Sequence, residues 1–316
     1  VATYVVRRLL QAIPLLFVIS IALFGLLHLI PGGPAQVADN PHMSAQARHN
    51  LVVNLGLDQP LPVQYAKWLW GTLHLDFGNS FVDGQPVLTT IGDRLPATVE
   101  LLGLAFLFAL CLAIPLGILA AVKQYSILDY LFTVLAYLGI SMPVFWFAEM
   151  LVLFLSLQLG WFPTGGMSTE GAPATFWDSL HHLVLPVLVI SLVFIAAWSR
   201  YLRASMLEVL RQDYLRTARA KGVRRLRIIL KHALRNALIP LVTVVALDVG
   251  GIFGGAVITE SIFSWPGLGR LFYDSLQARD YPVLMAMMVL SAMTIVLCNI
   301  VADVVYGILD PRIRYS

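Results

Sequence analysis

Four carboxylates, Glu149, Asp248, Glu260 and Asp303, stand inside long apolar runs of the sequence. An ionisable group in such surroundings is costly and marks a solute pathway, a relay or an interhelical hydrogen bond. Asp248 falls about midway along its run and is the first candidate to line a pathway, where an acid would attract a cationic solute group. Glu149 is the second. It follows the break Ser141-Met142-Pro143, and Met142 and Pro143 can shape a cavity or form a tolerated bend. Each acid also has a plainer role open to it, a hydrogen bond to a neighbouring helix or contact with interfacial water, and Glu260 is read as bonding locally near the outer mouth. Gly250, Gly251, Gly254 and Gly255 follow Asp248 closely. Glycines four apart let helices approach, either within the chain or against a partner, and the same cluster can serve as a gate hinge.

Catalytic patterns are missing from the sequence. It holds no phosphate-binding Gly-x-x-x-x-Gly-Lys-Ser/Thr, no His-Glu-x-x-His and no Gly-x-Ser-x-Gly. His181 and His182 are adjacent, so on a helix they point apart and make a poor chelate. They are read as interfacial polar residues, not a metal site. Cys111 and Cys298 lie in apolar runs and are read as buried small side chains, neither a disulfide nor a metal pair. The chain by itself is expected to catalyse nothing.

The other chemical signal is a concentration of charge. Eleven Lys and Arg lie between Arg200 and Arg235. Within that loop Asp213 is a plausible N-cap for a short helix, Tyr214–Lys221, which Gly222 would end. A further helix over 224–236 leads back into apolar sequence. A short helix held between two others, with Ala218 and Ala220 facing outward and basic flanks, fits a groove on another protein. The alternative is a basic loop that fixes topology and touches anionic lipid.

The elements that must position these residues are membrane spans. The chain has 316 residues, 59% hydrophobic and 12% charged, with mean hydropathy +0.80. Soluble domains are about 45–50% apolar and about 25% charged. A net charge of +3 and no basic patch interleaved with exposed aromatics exclude a nucleic-acid binder. Spans need about 20 apolar residues, and six segments qualify: 9–30, 99–122, 127–159, 183–199, 237–263 and 283–309. The third is too long for one straight helix, and Pro143 allows a kinked span or a hairpin. Charge chooses the single kinked span. It places sixteen of the 21 Lys and Arg on one side, as the positive-inside rule requires, with both termini cytoplasmic. The N-terminal run is read as a retained helix and not a cleaved leader.

The fold class expected is therefore all-α integral membrane with six transmembrane helices. Residues 1–30 form the N-terminal segment and first span. Residues 31–98 form a partly helical extracytoplasmic loop, with helical spacing over 43–55 and 62–73. Residues 99–316 form a five-helix core that contains the loop 200–235. Trp161, Trp177 and Trp265 are expected in an interfacial aromatic belt.

At the loop the sequence resembles the permeases of ATP-binding-cassette importers, whose cytoplasmic "EAA" loop reads Glu-Ala-Ala, three residues, Gly, nine residues, Ile-x-Leu-Pro. Ala218, Gly222 and Leu234 match that pattern. Arg216, Thr217, His232 and Arg235 depart from it, in the manner of the dipeptide/oligopeptide/nickel subfamily. Other stretches resemble the same subfamily, among them Leu55-Gly56-Leu57-Asp58-Gln59-Pro60, Asp76-Phe77-Gly78, Phe263-Ser264-Trp265-Pro266-Gly267-Leu268-Gly269-Arg270, Arg279-Asp280-Tyr281-Pro282 and Asp310-Pro311-Arg312. The long first outer loop is similar to that of the B-type subunit.

The resemblance implies a type I importer permease fold and a definite set of partners. These are a second permease, most simply a different chain, two cytoplasmic ATPases that bind ATP and Mg, and an extracytoplasmic solute-binding protein. The solute would be a di- or oligopeptide or a related small molecule, imported across a prokaryotic inner membrane. Asp213, Tyr214, Arg216, Thr217, Ala218, Arg219, Ala220, Lys221 and Gly222 would form the coupling helix that rests on an ATPase. A gradient-driven transporter or channel acting without an ATPase is the competing expectation.

Overall fold

The computed structural model describes residues 2–29, 58–169, 171, 173, 175–254 and 256–309, and among these residues the regular structure is helical. The first helix, α1 (Ala2–Leu29), is followed beyond the undescribed segment by α2 (Leu61–Leu73) and then α3 (Val87–Val122). The expected helix over 43–55 and the Asp310-Pro311-Arg312 stretch lie outside the described residues.

Two apolar helices make the centre. α3 packs along α6 (Phe176–Leu210), and the contact is close because Gly117 has no side chain. A Cβ there would lie 2.9 Å from the Ser199 carbonyl oxygen. Phe106, Phe194 and Trp198 stack between the two helices, with centroid separations of 4.8, 5.0 and 5.8 Å. Trp198, Leu101, Leu202 and Met206 are fully buried there. Many large apolar side chains of the surrounding helices face outward, as a hydrocarbon solvent permits.

The third apolar run is broken. α4 (Ile127–Ser141) and α5 (Val144–Gln158, π-helical from Val152) meet at 99°. Pro143 cannot donate to the Leu138–Gly139 turn, and Met142 before it is extended at φ −80°, ψ 123°. Ser126 caps α4 by accepting from the Asp129 amide.

At roughly 1.5 Å per residue, α3 and α6 exceed the hydrocarbon core and project from it. α3 begins at Val87, within the segment 31–98 expected as the first outer loop, and Asp93, Arg94 and Pro96 are helical. The fifth apolar run is not one helix to residue 263. α8 (Arg225–Gly250, π-helical over Ile228–Ala233) stops at the glycine cluster. A 3-10 turn, Gly251–Gly254, follows, and then α9 (Val257–Ile262). Glycine's weak helix propensity accounts for the break. α10 (Leu268–Ala278) leads to the last span, α11 (Tyr281–Leu309).

Two side-chain expectations fail. Trp265 is not in an aromatic belt. It is fully buried and donates its indole N–H to the Ala97 carbonyl at 2.8 Å. Trp161 and Trp177 are exposed as expected. Cys111 is exposed and Cys298 half-buried, both free, since apolar sequence faces lipid as readily as core.

Candidate functional site

The short helix predicted in the basic loop exists as α7 (Asp213–Ala220). One residue anchors it: Leu215 is fully buried in the principal core, among Leu202, Met206 and Ile228. Tyr214 supplies a second tie. Its hydroxyl accepts from Asn236 Nδ2 at 2.7 Å, and it lies 3.5 Å from the His232 carbonyl. Both partners belong to α8, so α7 is fixed to the root of the fifth span.

Gly222 ends the helix as expected, at φ +75°, where a side chain would be strained. The closure is a Schellman motif. The Gly222 amide donates to the Arg219 carbonyl at 3.0 Å, and Val223 donates to Ala218 at 3.2 Å. Asp213 is not the cap. Gln212 precedes the first turn, and the Asp213 carboxylate points to solvent with Arg216 at 3.4 Å. As a first-turn residue it faces the positive end of the helix dipole.

The outward face is therefore Asp213, Arg216, Thr217, Arg219, Ala220 and Lys221, all exposed. Ala218 does not face outward. It packs against the principal core beside Val223, because the Schellman closure brings those two residues together. A cleft of about 420 Å³ opens beside the helix, lined by Arg219, Val223, Arg225, Ile228, Val122 and Leu210. The helix is thus a cationic projection: anchored by Leu215, with Ala218 packed beside it, closed at its C-terminal end by the Schellman motif and exposed on its outward face.

The expected pathway residues scatter. Asp248 accepts a hydrogen bond from the Trp198 indole at 2.8 Å, so its nearest partner is a neighbouring helix. Glu149 is exposed on α5 and has no hydrogen-bond or ion-pair partner among the described residues. Met142 and Pro143 sit at the 99° break. The Asp303 side chain and Gly255 lie outside the described residues. Gly250 packs within the bundle: a Cβ there would meet Ile295 Cα and Cys298 Cβ of α11, each at 3.2 Å. Gly251 meets nothing within 4 Å, and Gly254 belongs to the 3-10 turn.

His181 and His182 fasten a loop. His182 Nδ1 lies 2.9 Å from the Gly165 carbonyl, and His181 Nε2 lies 2.6 Å from the Trp161 carbonyl. No cluster of three metal-ligating side chains occurs among the described residues.

Three polar clusters have partners that the sequence did not reveal. Arg203 grips Asp129 with two hydrogen bonds. Buried Glu260 accepts from the Thr98 hydroxyl at 2.9 Å and the Arg270 amide at 3.0 Å. Buried Asp280 accepts from the Ser80 hydroxyl at 2.5 Å and the Phe81 amide at 3.1 Å. Each joins segments far apart in the chain. The only sequence signal was a carboxylate at the edge of an apolar run.

Comparison with known proteins accounts for this assembly. The family described as binding-protein-dependent transport system inner membrane component matches residues 113–315, and its N-terminal counterpart matches residues 1–102. The oligopeptide transport system permease protein AppB of Bacillus subtilis is 45% identical, covering 99% of this chain and all of its own length. The dipeptide transport system permease protein DppB of Escherichia coli K12 is 41% identical, with 99% of each chain covered. The glutathione transport system permease protein GsiC of Escherichia coli O1:K1 is 40% identical, again over 99% of each. A solved structure of the MetNI methionine ABC transporter, in inward-facing conformations, matches 71% of this chain and 97% of its own with a TM-score of 0.55 at 16% identity. That likeness establishes the fold.

Proposed function

Because the chain belongs to the family of binding-protein-dependent transport system inner membrane components, we propose that it forms, with a second permease, the membrane pathway of an ATP-driven peptide importer. Peptide is favoured as solute because relatives similar over the whole chain are named for oligopeptide, dipeptide and glutathione transport. Those solutes share amide bonds and charged ends.

The observation that carries the coupling mechanism is α7, a helix anchored by Leu215 and Tyr214, with Ala218 half-buried and its other residues exposed. Two cytoplasmic ATPases, which bind the ATP and Mg, would each receive such a helix. Nucleotide-driven closure then biases a two-state bundle between outward- and inward-open arrangements. Leu215 hands that motion to the α3–α6 core, and Tyr214 hands it to α8. An extracytoplasmic binding protein would deliver the peptide, so solute selection lies largely outside this chain. The basic end of the bundle, which carries α7, is the cytoplasmic one.

The test is reconstitution. The chain is purified from native membranes, its companions are identified by mass spectrometry, and ATP-driven uptake of a labelled dipeptide is measured in vesicles. Two ATPases and a second permease should accompany it, and Arg219→Glu should abolish uptake while leaving assembly in the membrane intact. Solute movement by the lone chain, driven by a proton gradient, would refute the proposal.

A further inference from the structure

On the basic end of the bundle, α4 and α6 diverge around a cleft of about 580 Å³. Thr133, Tyr137 and Ile140 line it from α4, and Arg200, Tyr201 and Arg203 line it from α6. The two arginines differ. Arg203 is committed to Asp129. Arg200 is exposed and has no carboxylate partner among the described residues. Its guanidinium carbon lies 4.4 Å over the Tyr137 ring. A cation–π contact of that kind restrains the guanidinium, and with no carboxylate beside it the N–H groups can still meet an acceptor with two oxygens.

The surroundings narrow the acceptor. Tyr130 and Val134 of α4 flank the cleft residues on the helix and face outward, as do Leu131, Leu135 and Leu138 further round it, so the surface beside the cleft is hydrocarbon-like. Arg200 immediately follows the apolar run 183–199 and stands ten residues before the end of α6, roughly 15 Å at the helical rise. Exposed Tyr137 and Tyr201 accompany it, as aromatic residues do at the headgroup level. A fixed cation at the rim of an apolar wall complements a ligand with an anionic head and long apolar tails.

We propose that this cleft binds an anionic phospholipid of the cytoplasmic leaflet, its phosphate on Arg200 and its acyl chains along α4. A net-negative headgroup is selected over a zwitterionic one because the latter brings its own ammonium beside Arg200. The lipid would lie across the seam between α4 and α6, where the broken third apolar run meets the central bundle.

Full-length wild-type protein and Arg200→Gln are purified in mild detergent, and retained phospholipid is quantified by mass spectrometry. Delipidated protein is then titrated with phosphatidylglycerol, phosphatidylcholine and free glycerol phosphate. Wild type should retain and rebind phosphatidylglycerol in preference to phosphatidylcholine, with glycerol phosphate a poor competitor. Arg200→Gln should bind phosphatidylglycerol about fivefold more weakly, and Arg200→Lys should fall between. Should Arg200→Gln fail to fold, the preference of the wild type for phosphatidylglycerol still decides. Equal affinity for both lipids would overturn the proposal, as would equal binding by a monodisperse, helical Arg200→Gln. Effective competition by glycerol phosphate would reduce the cleft to a simple anion site. Cross-linking of Tyr137→Cys to a second permease in native membranes would show that protein, not lipid, covers it.

Discussion

Arg203 holds Asp129 through Nε at 2.6 Å and Nη2 at 2.8 Å, one nitrogen to each carboxylate oxygen. The pair joins the start of α4 to the tail of α6, and the Tyr125 amide adds a third bond to the same carboxylate at 2.9 Å. Asp129 is almost wholly enclosed, whereas Arg203 keeps a side-chain exposure of 28%. Removing either partner strands the other, and the more enclosed charge suffers more. Arg203→Ala should therefore destabilise more than Asp129→Ala, the former by about 3 kcal/mol. The double variant should be less harmed than the sum of the two. Thermal unfolding in detergent across this double-mutant cycle checks the order, and additive losses would deny the coupling.

Leu215 is the single buried residue of α7. Leu215→Ala removes the anchor while leaving every exposed residue of the helix in place. A buried Leu→Ala change costs about 2–5 kcal/mol in a well-packed site. Here the loss falls on the attachment of α7 more than on the bundle. The expected phenotype is uncoupling: the partner ATPases still associate and hydrolyse ATP, and dipeptide uptake falls at least about tenfold, the factor that about 1.4 kcal/mol of lost coupling gives. Parallel loss of hydrolysis and uptake would assign Leu215 to assembly instead.

The presence and approximate place of α7 were legible in the sequence because local chemistry writes both. A glycine at a left-handed position and a change from apolar to basic composition need no tertiary information. The inward turn of Ala218 was not legible, since it depends on how α7 and Val223 pack onto the principal core, which the local sequence does not state. The same holds for Trp265. A tryptophan beside a proline in a polar loop looks interfacial until the fold brings Ala97 within hydrogen-bond reach. Hydropathy located the spans but placed the start of α3 too late and ran α8 on into α9. It measures solvent preference, and helices continue past the bilayer or stop at glycines within it. The partners of Asp129, Glu260 and Asp280 were hidden for the same reason: each is supplied by a distant segment.

Gly267 sits against the enclosed Glu260–Thr98 pair, and a Cβ on it would strike both side chains. The neighbours are not free to move. The Thr98 hydroxyl donates to Glu260 and accepts from the Leu268 amide at 2.7 Å, and Glu260 also accepts from Arg270. Gly267→Ala should therefore cost about 1–3 kcal/mol as an overpacked site, seen as a lower unfolding midpoint. Thr98→Ala in the same background should return part of the loss by making room. A wild-type midpoint for Gly267→Ala would mean that the cluster is loose.

Asp280 fastens the stretch that precedes α3 to the start of α11. Asp280→Ala leaves the Ser80 hydroxyl and the Phe81 amide without their acceptor. The stretch from Asn79 to Pro86 should then open locally, not globally. Hydrogen exchange of the amides of Ser80 and Phe81 should accelerate about tenfold or more, equivalent to about 1.4 kcal/mol of lost protection, while the α3 and α6 amides hold. Unchanged exchange at Phe81 would show that the loop is held by other contacts.

Asp248 tests whether an acid within a span serves solute or structure. Its carboxylate accepts the indole N–H of Trp198, which is fully buried at the α3–α6 contact and has Phe106 and Phe194 for neighbours. A tryptophan so placed needs an acceptor, and one oxygen suffices. Asp248→Asn keeps that oxygen and discards the charge. If the residue is there for Trp198, Asp248→Asn should import a dipeptide at the wild-type rate with unchanged KM. Asp248→Leu, which leaves the indole unsatisfied, should lose about 1–3 kcal/mol of stability. A solute role gives a different pattern. A peptide's ammonium would lose its counter-charge in Asp248→Asn, raising KM while the unfolding midpoint stays put. The hydrogen bond at 2.8 Å favours the structural outcome. Dipeptide uptake kinetics on Asp248→Asn, set beside the unfolding midpoint of Asp248→Leu, separate the two.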